Sequence, residues 1–205
     1  MGCALLAEDR ADDANDFLAE RLARLSGGLD MQRMGVNLRM IDVQLYRDDA
    51  ESAWAVVDGM WTRYLLSGFD LMHFWRAFTR MRRAHVAILL HKRRPTSKLR
   101  RIAAADAARL ERMHRPDGDI LAAGIRGALA VQRGALEDAR AHMRRAVAEA
   151  ERQGVPITAH AYRRQLGRIV PGRAGSDLIA LADDGLSAQG VLNPERWAAM
   201  FAPGF

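Results

Sequence analysis

The sequence predicts an all-α protein, a right-handed α-solenoid of about ten antiparallel helices stacked as helix pairs. Three observations predict it. Apolar residues recur at spacings of three and four along most of the chain, which places them on one face of a helix. Ala, Leu and Arg, which favour helix, dominate, and runs of β-branched residues are nearly absent. Short motifs also repeat. Ser26-Gly27-Gly28-Leu29-Asp30-Met31 recurs as Ser67-Gly68-Phe69-Asp70-Leu71-Met72 about forty residues on. Gln153-Gly154-Val155-Pro156 recurs, with two residues inserted, as Gln189-Gly190-Val191-Leu192-Asn193-Pro194. Such periods belong to helix-pair repeats.

The elements follow in order. Residues 11–25 read as the first helix, capped by Asp12 or Asp13, with Phe17, Leu18, Leu22 and Leu25 as its apolar face. Ser26-Gly27-Gly28 stops it. The second spans about 30–46, with Met34, Leu38, Ile41 and Leu45 as its stripe. Asp48 and Asp49 mark the turn into the third, 50–66, which buries Ala53, Trp54, Val57, Met60, Trp61 and Tyr64. The fourth is long, 70–92, and Leu71, Phe74, Trp75, Phe78, Met81, His85 and Ile88 form its apolar side. Arg94-Pro95 ends it, since a residue before proline avoids the α region. Thr96 or Ser97 caps the fifth, which runs to about His114. The turn Arg115-Pro116-Asp117-Gly118 precedes helices six and seven, a pair folded at Arg133-Gly134. Leu121, Gly124, Ile125, Ala128 and Val131 face Ala139, Met143, Ala146, Val147 and Ala150 across that pair. Pro156 starts helix eight, Ser176 caps helix nine, and Asn193-Pro194 caps a short tenth, 194–201.

Size, charge and cysteine usage narrow the function classes. A chain of 205 residues forms one continuous stack, and we expect a single domain over 1–205. Net charge is +6, and only Lys92 and Lys98 of the 31 basic residues are lysine. With Cys3 as the one cysteine, no disulfide framework forms within the chain. Met1–Ala7 lacks the basic start and the apolar length of a signal peptide, and no apolar run approaches the ~20 residues of a membrane span. A cytoplasmic location with no membrane partner is the expectation.

Spacing of chemical groups gives no catalytic or metal motif. The histidines at 73, 85, 91, 114, 142 and 160 make no HxxxH or HExxH pattern, and no serine or cysteine sits in a nucleophile motif. Neither a phosphate-cradling glycine loop nor the HRD and DFG residues of a kinase occur. A non-catalytic chain with no cofactor follows. His73, Arg76, Arg80 and Arg83 share one face of the fourth helix, either as an anion-binding stripe or as a solvated face. Lys92, Arg93, Arg94, Lys98, Arg100 and Arg101 form a basic corner between the fourth and fifth helices. It reads as a solvated corner or as a patch for an acidic partner or nucleic acid.

The second helices of successive pairs share a pattern. Gly134, Ala139, Met143 and Ala146 stand at offsets of five, four and three, and Asp48, Ala53, Val57 and Met60 repeat them. Asp9, Ala14, Leu18 and Arg21 follow more loosely. This resembles a degenerate tetratricopeptide repeat, with Gly127 at a small-residue position of the first helix and Ala130 where that family carries an aromatic. The segments at 42–54, 163–189 and 190–205 are similar to the C-terminal repeat region of bacterial serine/threonine kinases or ATPase regulators. The resemblance implies a regulatory or scaffold module that binds proteins, without kinase activity of its own. It also implies that the chain opens in mid-repeat, as a trimmed relative or a fragment of a longer chain. Leu5, Leu6, Phe17 and Leu18 would then leave an apolar end that self-associates or is covered by another chain.

The expected partner is a protein or an acidic peptide, including a kinase or ATPase module, laid along a concave side made by helices two, four, six, eight and ten. Arg33, Asn37, Arg76, Arg80, Arg83, Arg163 and Arg164 are the candidate contacts, arginine making charge-assisted bonds to carboxylates. The alternative is a basic helical-repeat module that binds nucleic acid or regulates transcription through the 92–101 corner.

Overall fold

Local chemistry sets where the helices begin. In the computed structural model, which describes residues 2–25, 27–28 and 30–205, four starts are capped by a side chain. The Asp30 carboxylate accepts from the Arg33 N–H at the head of α3 (Met31–Tyr46), and Asp49 from the Ser52 N–H at the head of α4 (Ala50–Leu66). Thr96 caps α6 (Ser97–Glu111) through the Leu99 N–H, and Asn193 caps α11 (Pro194–Phe201) through the Arg196 N–H. Each such cap contributes about 1 kcal/mol. Proline opens α7 (Pro116–Val131) and α9 (Pro156–Ile169), where its missing N–H costs nothing. The remaining helices are α1 (Gly2–Ala7), α2 (Ala11–Ala23), α5 (His73–Arg93), α8 (Leu136–Arg152) and α10 (Gly172–Ser187). A 3₁₀ turn at Phe69–Leu71 precedes α5, and no strand occurs among the described residues.

The all-α class predicted from the sequence is therefore what the chain adopts. Met1, named above in the leader segment, and Ser26 and Leu29, named in the first stop and the repeated motif, lie outside the described residues. Four local readings are corrected. Residues 2–7 form a helix the periodicity is too short to reveal. Asp12 and Asp13 lie inside the first turn of α2, whose start has no side-chain cap. The fourth helix starts at His73 and not at 70, because Gly68 sits at φ 77 and the next three residues tighten into the 3₁₀ turn. The ninth starts at Gly172 instead of Ser176, and Gly175 lets its first turn press against the backbone of the preceding connection at Val170. A Cβ on Gly175 would lie 2.1 Å from the Val170 carbonyl oxygen.

Each helix packs on the next in sequence, and α3 touches α5 as α5 touches α7. The α7–α8 pair is among the most closely packed. Ala139, Met143, Ala146 and Ala150 are wholly buried, and Gly127 explains how the pair closes: a Cβ there would meet the Met143 sulfur at 2.8 Å. Gly124 makes the same allowance for Tyr162, whose ring would lie 2.6 Å from an added Cβ. Two small residues on α7 thus seat it between α8 and α9.

The N-terminal end is not the bare apolar surface expected from Leu5, Leu6, Phe17 and Leu18. Leu6 and Leu18 are buried, Leu5 and Phe17 are half-buried, and α1 lies over α2. The last helix departs from the row as well. α11 turns back across α9 to reach α3. The chain's two ends meet: the Leu192 N–H donates to the Ala7 carbonyl at 2.8 Å.

Candidate functional site

The face shared by α5, α7 and α9 carries an apolar concavity. A cavity of about 480 Å³ opens between α5, α7 and α9. Phe78, Met81, Ile120, Leu121, Val155 and Phe201 form its apolar walls, while Arg115, Asp117, Gln153 and Thr158 stand among the same lining residues. The i, i+3 pair Phe78 and Met81 explains the wall on α5, and Ile120 with Leu121 that on α7. Phe78 also borders a second hollow of about 140 Å³, lined by Gly35, Leu38, Arg39, Phe74, Trp75 and Arg82. The two share one ring as a partition and form a discontinuous apolar trough from α3 to α9. A volume of several hundred Å³ suits a large apolar anchor with a few polar neighbours.

Apolar side chains lie exposed near one end of this trough. Leu71 is 82% and Phe74 54% exposed, and Leu66 and Met72 are exposed beside them. The sequence placed Leu71 and Phe74 in the apolar side of the fourth helix. The 3₁₀ turn rotates Leu71 outward, and Phe74 lies at the helix start, edge-on to Trp75 with ring centroids 5.2 Å apart. A clustered apolar patch is more informative than single exposed residues.

Beneath the trough lies a polar layer. Arg82 bonds the buried Asp42 carboxylate, which also receives Arg39 at 2.7 Å. Arg39 in turn reaches Cys3 Sγ at 3.0 Å, and burial pushes the Cys3 thiol up from its ordinary range. His85 is held neutral: burial, with Arg82 nearby, drives its pKa down to about 3. Burial raises the Tyr162 phenol. Among the described residues His85 Nδ1, the Tyr162 hydroxyl, Gln165 Oε1 and Trp197 Nε1 are buried without a hydrogen-bond partner.

The arginine stripe of α5 turns out to be neutralised from within. Arg80 is buried and not partner-facing: it donates to both oxygens of Asp70 at 2.8 and 2.6 Å and to Asp106 at 2.9 Å. Arg83 makes two bonds of 2.7 Å to Asp106 and stacks over Trp61, 3.4 Å from the ring centroid. Arg76 donates to the Asp70 carbonyl, and His73 meets Asp117 at 2.8 Å. Burial alone would raise the Asp70 carboxyl, yet the Arg80 and Tyr64 bonds hold it below its usual range. The acids lie 10 and 26 residues from Arg80, so helical spacing within α5 could not reveal them.

The other candidates lie elsewhere. Arg163 bonds Glu151 and His160, and Arg164 donates to Asp183 at 2.7 Å, both against neighbouring helices and away from the trough. Arg33 and Asn37 line a separate hollow of about 210 Å³ with Ala55, Val56 and Gly59. Arg33 also donates to the Leu25 carbonyl. None of the seven single-residue candidates lines the trough. The residue of α9 that lines it is Thr158.

In the basic corner, Arg93 is drawn to Asp48 and Glu51, and Lys92 donates to the Phe205 oxygen at 3.2 Å. Arg94, Lys98, Arg100 and Arg101 are exposed. Among the described residues no cluster of histidine, cysteine and carboxylate side chains could hold a metal ion, and no helix is long and apolar enough to cross a membrane.

Comparison with protein-family models, with curated proteins and with solved structures gave no significant match.

Proposed function

We propose that this chain is a non-catalytic interaction module, a solenoid of tetratricopeptide-like helix pairs that takes a segment of another protein into the trough of its odd-numbered helices. One observation carries the reading: the 480 Å³ apolar cavity adjoins a second hollow across Phe78. Such a site suits a peptide with one large apolar or aromatic anchor. Carboxylates beside that anchor would meet Arg115, 57% exposed at its side chain, and Arg39. A kinase or ATPase module is the partner class that the sequence resemblance suggests, acting in a cytoplasmic setting.

The test is a displayed peptide library panned on the full chain. Thr158→Trp, at a half-buried position of the cavity lining, fills the site without opening the core. Selected peptides should share an apolar anchor near an acidic residue and should bind this variant at least tenfold more weakly. Peptides that bind both chains equally would remove the trough from consideration.

A second reading, nucleic-acid binding at the α5–α6 corner, has the exposed Arg94, Lys98, Arg100 and Arg101 in its favour. It requires retention on heparin with a steep fall between 50 and 200 mM salt. A flat response would exclude it.

A further inference from the structure

Residues 191–205 do not extend the row of helix pairs; they lie upon it. Gly190, at φ 83, turns the chain back after α10. Trp197 and Met200 are buried in the same core cluster as the apolar residues of α3, and α11 packs on α9, α3 and α10. Ala202, Pro203 and Gly204 are buried too, and Gly204 sits so close to α5 that an added Cβ would meet Ile88 at 2.6 Å. Two side chains of the row hold this segment by its backbone. Gln165 Nε2 donates to the Ala202 carbonyl at 2.8 Å, and Lys92 Nζ to the Phe205 oxygen at 3.2 Å. Apolar side chains inserted into a face, with main-chain carbonyls caught by side chains of that face, is the way a groove holds a bound peptide.

The segment is also continuous with the trough. Phe201 is one wall of the 480 Å³ cavity, and its ring lies 5.9 Å from the Arg82 guanidinium carbon. An eight-residue helix has little stability of its own in water, so α11 is helical because of the surface it lies on. Its outer fastening is small. Asn193 and Arg196 bond the Asp9 carboxylate at 3.1 and 3.3 Å, at the molecular surface. The Tyr46 hydroxyl, donating to Asp9 at 2.6 Å, is the leading reason that carboxyl is held below its usual range.

We propose that residues 191–205 are a detachable internal ligand of the face on α3 and α9 that borders the trough, which they wall through Phe201. A partner protein docks by presenting, in their place, an amphipathic helix with aromatic and methionine or leucine side chains at the spacing of Trp197, Met200 and Phe201. The proposal rests on the peptide-binding reading above and names its regulation. The native segment competes with the partner, and binding in trans is weakened by the fraction of molecules in which the segment is seated. The chain's own sequence defines the partner's chemistry, because it is the chemistry this face already accommodates.

The experiment uses the full chain. A fluorescein-labelled synthetic peptide of residues 191–205 is titrated into wild type and into the Asn193→Ala/Arg196→Ala variant, which loosens the fastening and removes no core side chain. Circular dichroism confirms that the variant is folded; the single Arg196→Ala chain replaces it if it is not. The expected result is at least tenfold tighter binding to the loosened chain. In wild type, amide hydrogen exchange over 194–202 should run at least tenfold faster than over α9. Equal peptide affinity for the two chains overturns the proposal, whatever the exchange rates. A loosened variant that dimerises with rising concentration makes the occupant a second copy and overturns a foreign partner. The probe is the chain's own sequence, so its outcome does not depend on the library selection. Failure of that selection with success here would sink the acidic-anchor specificity of the peptide-binding reading and leave the internal ligand standing.

Discussion

Replacing Asp106 with asparagine tests whether the arginines of α5 serve the fold or a ligand. Asp106 is wholly buried on α6 and accepts three bonds, one from Arg80 at 2.9 Å and two from Arg83 at 2.7 Å. With Asp70 it balances the two guanidinium groups, two carboxylates against two cations. The substitution leaves that balance one charge short in a site where Arg80 is 2% exposed. Asp70 still holds Arg80, and the Trp61 ring still covers Arg83, so the loss is smaller than three separate bonds would suggest. Removing one member of a buried ion pair typically costs about 3–5 kcal/mol. Against a total stability of about 5–15 kcal/mol this is a large fraction. With a urea dependence of about 3 kcal/mol per molar, the unfolding midpoint should fall by about 1–1.7 M. The control is Asp117→Asn. Asp117 pairs with His73, both about half-exposed, and its loss should cost less than ~1 kcal/mol. A midpoint shift below about 0.3 M for Asp106→Asn would refute the structural role and return Arg80 and Arg83 to the candidate ligand-binding groups.

Three further outcomes follow from the packing. Gly124→Ala improves helix propensity by about 1 kcal/mol but drives a Cβ to 2.6 Å from the buried Tyr162 ring. Overpacking of about 1–3 kcal/mol should win, and the thermal midpoint should fall by a few degrees where propensity alone would raise it. Ala139→Leu in the α7–α8 contact should destabilise by a similar ~1–3 kcal/mol, read by urea unfolding; wild-type stability would mean that the helix-pair register is wrong. Stability should depend on His85. The unfolded chain protonates that ring near pH 6.5, whereas the folded chain keeps it neutral down to about 3. Between those values the unfolded state holds more protons, so stability falls as pH falls, by about 2 kcal/mol from pH 8 to pH 5. His85→Leu should flatten that dependence, and an unchanged pH profile would show that the ring is not held neutral.

The sequence by itself determined ten of the helices, though not α1, because helix formation is written in contacts three and four residues apart. Met143 and Ala146 announce a buried stripe, Asp49 and Asn193 announce caps, and Gly127 announces a close approach without any knowledge of what approaches. The small-residue pattern of α7 and α8 was legible for the same reason. Tertiary structure alone decided which charges meet and which surface stays open. Arg80 and Arg83 look like a free stripe until α6 brings Asp106 beside them. Arg163 and Arg164 look available until Glu151 and Asp183 take them. The trough is assembled from Phe78, Ile120, Val155 and Phe201, which lie on three helices and a connection and share no spacing. Most of all, nothing local to residues 190–205 says that α11 leaves the row and lies across α9 and α3. That choice depends on the shape of a face to which α3 contributes from about 150 positions away, where Trp197, Met200 and the tail are removed from water.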